Sequence, residues 1–175
     1  MTRFADKKRL LRVAEATKAE IDRWGEGVSL QADTGHTIEE LRHRATADRF
    51  ALAVRFYQRG RDLALSTPPS NRDAISRLYY SMYHCWRALI FFSHGGDDFQ
   101  SHSNLQKKEP PAFPNAPIWR NRLNNARLRR NEADYEAYPK SDPPLAAIAT
   151  SLELEAQELI RVSRTYLRSR GCQYV

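Results

Sequence analysis

Residues 120 to 130 form an arginine-rich stretch whose side chains are suited to phosphate contacts. The segment reads RNRLNNARLRR, with five arginines and three asparagines in eleven positions. A planar guanidinium group can hold two phosphate oxygens at once, so this density of arginine favours a polyanionic ligand. On the helix expected here, Arg120 and Arg127 share one edge and are candidate contacts. Arg122 and Arg129 fall on the far side, where a solvated surface is the simpler interpretation.

Arg130 differs from these arginines because it lies on the apolar stripe of the expected helix. The other members of that stripe are Trp119, Leu123, Ala126 and Ala133. A guanidinium group that faces a core or an interface needs an anionic partner, because it cannot lose its charge. Asp134, one turn later, is the nearest candidate. Two interpretations stay open: a structural Arg130–Asp134 ion pair, or a site in which Asp134 orients Arg130 toward a bound anion.

A second group of candidates lies on the helix expected between residues 70 and 94. One stripe of that helix carries residues spaced by three and four positions: Arg77, Tyr80, His84, Ala88 and Phe91. Histidine transfers protons near neutral pH, so His84 is a candidate general acid or base, with Arg77 steadying a phosphate. The alternative is a buried histidine that is hydrogen-bonded to Tyr80 or to a backbone group. Sequence spacing does not choose between these interpretations.

No metal or cofactor is assigned. His94 and His102 flank a turn that contains Asp97 and Asp98, but these residues have no ligand-bearing helix beside them. The sequence also lacks the HExxH, CxxC, P-loop, GxGxxG and GxSxG patterns of common metal, nucleotide and hydrolase sites.

The helix from Ser70 to His94 is expected to be the central element of the fold. It contains no internal Gly or Pro, and Ser70 followed by Asp73 marks its start. Its apolar face consists of Ile75, Leu78, Tyr79, Met82, Trp86 and Leu89. Because the opposite stripe carries aromatic rings, this helix is expected to be covered on both sides, by the core or by a second chain.

Three further helices are expected around the central one. Their predicted ranges are 37–65, 118–135 and 144–170. Thr37 and Glu40 form a capping box at the start of the first. Prolines interrupt the long connection over residues 95–117. Since no segment alternates with period two, the sequence predicts an all-α antiparallel four-helix bundle with an additional N-terminal helix.

The domain prediction places an N-terminal helical extension and linker at residues 1–45 and the bundle at residues 46–175. Apolar positions with 4-3-4-3 spacing predict a helix over residues 4–24; they are Leu10, Ala14, Thr17, Ile21 and Trp24. Three glycines within residues 25–35 then predict a linker.

The amino-acid composition indicates a class of binding partner and a cellular compartment. Lys and Arg outnumber Asp and Glu by 28 to 21, which gives a formal net charge of +7 and favours nucleic acid or another polyanion. Two cysteines, Cys85 and Cys172, are too few for a disulfide framework and are typical of a reducing cytoplasm. The longest apolar run, residues 88–92, is too short for a bilayer, so a cytoplasmic chain without membrane contact is expected.

Three blocks of the sequence resemble a bacterial branch of the HEPN (higher eukaryotes and prokaryotes nucleotide-binding) superfamily. They are SRLYYSMYH at residues 76–84, HS at residues 102–103, and RNEADY at residues 130–135. The resemblance implies a bundle of four to five helices that dimerises along the helices bearing these blocks. It also implies either a metal-independent ribonuclease of a toxin–antitoxin, CRISPR or antiviral system, or a non-catalytic partner of a small nucleotidyltransferase.

The resemblance further implies roles for individual residues. The usual nuclease motif has an arginine followed one to two turns later by a histidine. Here Arg130 fits the arginine, but Asp134 and Tyr135 stand where the histidine is expected. We therefore expect His84 to supply the imidazole that moves the proton. Arg130 and Arg77 are expected to stabilise the charge of the phosphorane, with Asp134 orienting Arg130.

The remaining candidates are expected to contact RNA without taking part in proton transfer. They are Arg120, Arg127, Tyr80, His102 and Tyr135. The alternative to a ribonuclease is a non-catalytic module that dimerises and binds a nucleotidyltransferase, an antitoxin or another defence protein, with the three blocks serving to pack helices together.

Overall fold

The structure is a computed structural model that describes residues 9, 12–98, 101, 105, 107–136 and 142–175. All regular elements in these ranges are helices and none is a strand, which confirms the all-α prediction. The five long helices are α1 (Lys18–Thr34), α2 (Ile38–Ala64), α3 (Asn71–His94), α4 (Ala116–Tyr135) and α5 (Asp142–Ser169). Within the same ranges, no helix has both the length and the apolar character needed to cross a bilayer.

The chain divides into two compact units, residues 1–41 and residues 42–175. The first unit contains α1. The second unit contains α3, α4, α5 and most of α2. All candidate residues of the sequence analysis that the structure describes belong to the second unit.

The start of α1 corrects the helix predicted over residues 4–24. Ala16 and Thr17 are not helical, so the predicted helix is interrupted there, and Leu10 lies outside the described residues. Thr17 is the N-cap of α1 and forms a capping box with Glu20. The Glu20 amide donates to the Thr17 hydroxyl (3.3 Å), and the Thr17 amide donates to the Glu20 carboxylate (2.8 Å).

The linker predicted at residues 25–35 is also wrong, because α1 continues through Gly25 and Gly27. A glycine inside a helix costs about 1 kcal/mol relative to alanine, which weakens a helix without ending it. The helix ends at Gly35, whose φ of 67° is left-handed and whose amide donates to the Gln31 carbonyl at 3.0 Å. Gly35 is thus a C-terminal cap.

Helix α2 begins at the predicted capping box and packs closely against α3. The Thr37 amide donates to the Glu40 carboxylate (2.8 Å), and the Glu40 amide donates to the Thr37 hydroxyl (3.1 Å). Further along, Gly60 allows a close approach to α3, because a Cβ atom added there would lie 2.8 Å from Leu78 Cγ. This approach brings the α2 side chains near Gly60 against the α3 stripe.

Helix α3 forms the centre of the second unit, as predicted. Its predicted apolar face is buried in full; the members are Ile75, Leu78, Tyr79, Met82, Trp86 and Leu89. On the opposite stripe Ala88 is buried, Tyr80 and His84 are half-buried, and Arg77 is exposed. Ser70 is the N-cap, but its hydroxyl donates to the Asp73 carboxylate at 2.7 Å and accepts no hydrogen bond from the backbone amides of the first turn.

Helices α4 and α5 both pack mainly on α3, and their observed bounds confirm the two predicted C-terminal helices. Most of the predicted inner stripe of α5 is buried: Leu145, Leu152, Ala156, Leu159 and Tyr166. After α5, Gly171 has a left-handed φ of 86°, and its amide donates to the Arg168 carbonyl at 3.0 Å. Gly171 therefore ends the last helix, as expected.

Two arginine side chains bind Asp97 at the start of the α3–α4 connection. The Asp97 carboxylate accepts from Arg49 Nη2 of α2 and from Arg87 Nε of α3, both at 2.9 Å. Burial disfavours the charged carboxylate, but the two guanidinium groups outweigh it and lower the pKa of Asp97. Asp97, considered above for a metal, is therefore engaged by two cations that fix the connection to the bundle.

Candidate functional site

The side chain of Arg130 lies between α4 and α3 and contacts Asp134, Tyr80, Tyr135 and Asn131, whose Oδ1 atom accepts from Arg130 Nη1 at 3.2 Å. Its Nε atom is 2.6 Å from Asp134 Oδ2, so the ion-pair partner predicted from spacing is the observed one. The N–H bond does not point at that oxygen, which makes the contact an ion pair rather than an aligned hydrogen bond. Its Nη2 atom donates to the hydroxyl oxygen of Tyr80 on α3 at 3.0 Å. These contacts hold the guanidinium group in one position.

Tyr135 lies on the solvent-exposed side of Arg130. Its hydroxyl oxygen accepts from Arg130 Nη1 at 3.4 Å, and its ring centroid lies 5.2 Å from Arg130 Cζ. Tyr135 is 73% exposed, whereas the Arg130 side chain is only 18% exposed. An aromatic ring beside a cation with one face open to solvent is a suitable platform for a base.

Asp134 is held from both helices. Besides Arg130, it accepts a long hydrogen bond from the Ser76 hydroxyl of α3 at 3.4 Å. Burial is the largest single effect and disfavours the charged form of Arg130, but Asp134, Tyr80 and Tyr135 together outweigh it and raise the pKa of the guanidinium group. Arg130 therefore stays positively charged over the whole physiological pH range.

Arg127, one turn before Arg130, has no carboxylate partner among the described residues. Its Nη2 atom donates to Asn124 Oδ1 at 3.3 Å, while its Nε atom is buried without a hydrogen-bond partner in the described part of the chain. It lies near enough to Tyr79 that its charge opposes the rise in the Tyr79 pKa caused by burial. A half-buried guanidinium group without a carboxylate partner among the described residues is suited to a further anion.

His84 lies beside this arginine cluster and packs among aromatic rings. Its ring stacks on Phe56 of α2 at 5.2 Å with an interplanar angle of 6°, and meets Tyr83 edge-on at 5.0 Å. The Tyr80 ring, whose hydroxyl contacts Arg130, is 6.4 Å from the His84 ring. Tyr80 thus connects His84 to Arg130.

Arg77 reaches the same cluster through Phe56. Its Cζ atom lies 6.0 Å from the Phe56 ring centroid, and its side chain is exposed. Sequence reasoning missed Phe56, because it is not on the stripe chosen as the inner face of α2. Phe56 lies four residues before Gly60 and therefore on the same face of α2. A glycine inside a predicted helix can indicate close packing against a neighbouring helix, as Gly60 does against α3, and this signal could have identified Phe56.

A second residue missed by sequence reasoning is Arg72, which caps the end of α4. Its Nη1 atom donates to the Ala133 carbonyl at 2.5 Å and its Nη2 atom donates to the Glu136 carbonyl at 3.1 Å. These bonds satisfy carbonyls that a helix C-terminus leaves unpaired. Arg72 therefore fixes the last turn of α4, which carries Asp134 and Tyr135, against α3.

One predicted RNA contact, Arg120, is not brought into this cluster. Arg120 forms an ion pair with Glu109 at 2.9 Å. It lies ten residues before Arg130 on α4, which corresponds to about 15 Å along the helix axis. His102 lies outside the described residues.

The described cluster carries more positive than negative charge. Arg77, Arg127 and Arg130 contribute three guanidinium groups, and Asp134 is the one described carboxylate in ion-pair contact with any of them. Such an excess, placed next to an imidazole and an exposed tyrosine ring, is suited to binding a phosphodiester.

Comparisons with known proteins do not assign the chain to a family: no protein-family model, curated protein or solved structure gives a significant match.

Proposed function

We propose that this chain is a HEPN-type RNA-binding protein that acts as a metal-independent endoribonuclease. The observation that carries the proposal is the cluster of three guanidinium groups with one paired carboxylate, next to His84. The three sequence blocks that resemble the HEPN pattern support it. Two of these blocks, residues 76–84 and 130–135, supply the residues of this cluster.

In the proposed reaction, the ribose 2′-hydroxyl attacks the adjacent phosphorus while the bond from phosphorus to the 5′ oxygen breaks. His84 takes the 2′-hydroxyl proton, and the departing 5′ oxygen takes a proton from water. Arg130 and Arg77 stabilise the additional negative charge of the phosphorane. The products are a 2′,3′-cyclic phosphate and a 5′-hydroxyl end.

The other side chains have positioning and binding roles in this proposal. Tyr80 contacts Nη2 and Asp134 contacts Nε of Arg130, which fixes the guanidinium group in a position where it can meet a phosphate. Arg127 contacts a neighbouring phosphate, and Tyr135 stacks on a base. Arg120 and His102 belong to the proposed wider RNA surface.

The test is cleavage of RNA by the purified chain in the presence of excess EDTA. We expect cellular RNA to be cut with or without EDTA. Single-stranded DNA should stay intact, because DNA lacks the 2′-hydroxyl. Activity that is lost in EDTA and restored by magnesium would contradict the proposed chemistry.

We also propose that the chain forms a homodimer through the α3 stripe that carries Arg77, Tyr80 and His84. The motivation is that Tyr80 and His84 are only half-buried although Phe56 of α2 packs beside both rings, and that Arg77 on the same stripe is exposed. Light scattering at micromolar concentration should give twice the chain mass of 20.2 kDa. Arg77→Glu should lower that mass, whereas Arg161→Glu, an exposed charge reversal on α5, should not. A wild-type monomer would refute the dimer.

A second candidate function is a non-catalytic module that dimerises and binds a nucleotidyltransferase or an antitoxin. The observation that favours it is the aromatic packing of His84 against Phe56 and Tyr83, which gives the ring a structural role. Wild-type protein that binds RNA or a partner but cuts no RNA would support this reading. Both functions fit a cytoplasmic toxin–antitoxin or phage-defence setting.

A further inference from the structure

A groove lies between α4 and α5 on the opposite face of α4 from Arg130. Both helices pack far more extensively on α3 than on each other, so their outer faces diverge. The space between them has a volume of about 620 Å³. Along α4 it is lined by Asn125, Leu128 and Glu132, which lie about 140° to 160° around the helix from Arg130, and by Arg129, which lies about 100° away. The groove is therefore separate from the candidate ribonuclease site.

The floor of the groove is apolar. It is formed by small and aliphatic side chains from both helices: Ala126, Ala147, Ile148 and Leu152. Leu128, at the α4 edge, is 53% exposed. Covering this apolar floor and the exposed leucine beside it with aliphatic groups lowers the free energy, because apolar surface is removed from water.

The charged groups of the groove are mainly acidic, in contrast to the rest of this basic chain. Arg129 Nη1 is paired with Glu132 Oε2 at 3.1 Å. Glu155 of α5 is half-buried and forms no ion pair or hydrogen bond with any described residue. Burial raises the pKa of Glu155, and the charge of Arg122 only partly opposes that rise. The carboxylate is thus partly desolvated without a donor that would compensate for it.

We infer that this groove binds an amphipathic helix of a partner protein, which places aliphatic side chains over Ile148 and Leu152 and a Lys or Arg next to Glu155. A channel between two helices matches the ridge of a third, and amphipathic helices bind such grooves through apolar residues spaced by three and four. The cationic side chain supplies the donor that Glu155 lacks, and its aliphatic stem lies along the floor. Charge complementarity selects this partner against an acidic helix, although the net charge of the chain favours an acidic one.

The probe is an 18-residue amidated peptide of Leu, Ala and Lys, with leucines spaced by three and four, added to the full chain. Its matched control carries Glu in place of every Lys. Fluorescence anisotropy at about 0.15 M salt should show binding of the lysine peptide in the micromolar range and weaker binding of the glutamate peptide. Glu155→Gln should weaken the lysine peptide by about tenfold. Leu128→Asp should also weaken it. Glu158→Gln, an exposed α5 glutamate that is paired with Arg161 outside the groove, should leave it unchanged.

Three results would overturn the inference. One is tighter binding of the glutamate peptide than of the lysine peptide, which would show that net charge controls binding. Another is a lysine peptide that does not bind the wild-type chain, or that binds the wild type, Glu155→Gln and Leu128→Asp equally well. The third is a different occupant: displacement of the peptide by spermidine at equal concentration would indicate a small amine, and self-association abolished by Leu128→Asp would indicate a second copy.

Discussion

Arg130→Ala is expected to lower the rate of RNA cleavage by about 10²–10³-fold, the loss typical for a fixed donor that stabilises transition-state charge. The guanidinium group is oriented by Tyr80 and Asp134, so its loss removes a pre-positioned cation and leaves the Asp134 carboxylate near the phosphate. Initial rates with a defined RNA at concentrations below KM measure the effect as kcat/KM.

The matched control is Arg129→Ala. Arg129 is the preceding residue of α4, is exposed and is paired with Glu132, so this change removes the same charge from a side of the helix about 100° away from Arg130. We expect a change of less than about threefold for Arg129→Ala, which removes only an exposed ion pair. Equal losses in the two variants would show that only net charge matters. Circular dichroism and the melting temperature of both variants verify that the fold is retained.

His84→Phe is expected to lower cleavage by about a hundredfold, because it removes the proposed proton acceptor and keeps an aromatic ring next to Phe56. The substitution separates chemistry from packing, whereas alanine would also remove the stacked ring. An imidazole base gives a rate that changes with pH near neutrality, so the wild-type profile should show that change and the residual activity of His84→Phe should not.

The control for His84→Phe is His94→Phe at the exposed end of the same helix. This variant should retain both the wild-type rate and the wild-type pH profile. An unchanged rate in His84→Phe would leave the 2′-hydroxyl chemistry intact but would move the proton-transfer role to Asp134, Tyr135 or His102.

Contacts within one helix could be predicted from the sequence because helical periodicity fixes them. The Arg130–Asp134 pair follows from a spacing of four residues, and the buried face of α3 follows from apolar residues at spacings of three and four. The Tyr80–Arg130 hydrogen bond joins residues 50 positions apart, and Arg72 reaches a carbonyl 61 positions away. Both depend on how two helices pack, which periodicity does not determine.

The error at α1 has a different physical cause. The predicted linker requires Gly25 and Gly27 to end a helix, whereas inside α1 these glycines only lower helix propensity. The pattern of Thr17 followed three residues later by Glu20 is the same capping signal that correctly located the start of α2. Reading both ends of the segment, with Gly35 as the C-terminal cap, would have identified the helix.

The most direct test of the proposed ribonuclease is mass spectrometry of the ends produced when the chain cuts a defined RNA in EDTA. A matched substrate carries a single 2′-deoxy substitution at the nucleotide that is cut. The account predicts 2′,3′-cyclic phosphate and 5′-hydroxyl ends from the RNA and no cleavage at the substituted nucleotide. Ends with a 3′-hydroxyl and a 5′-phosphate would contradict this chemistry. Cleavage of the 2′-deoxy substrate as fast as the unmodified RNA would also contradict it.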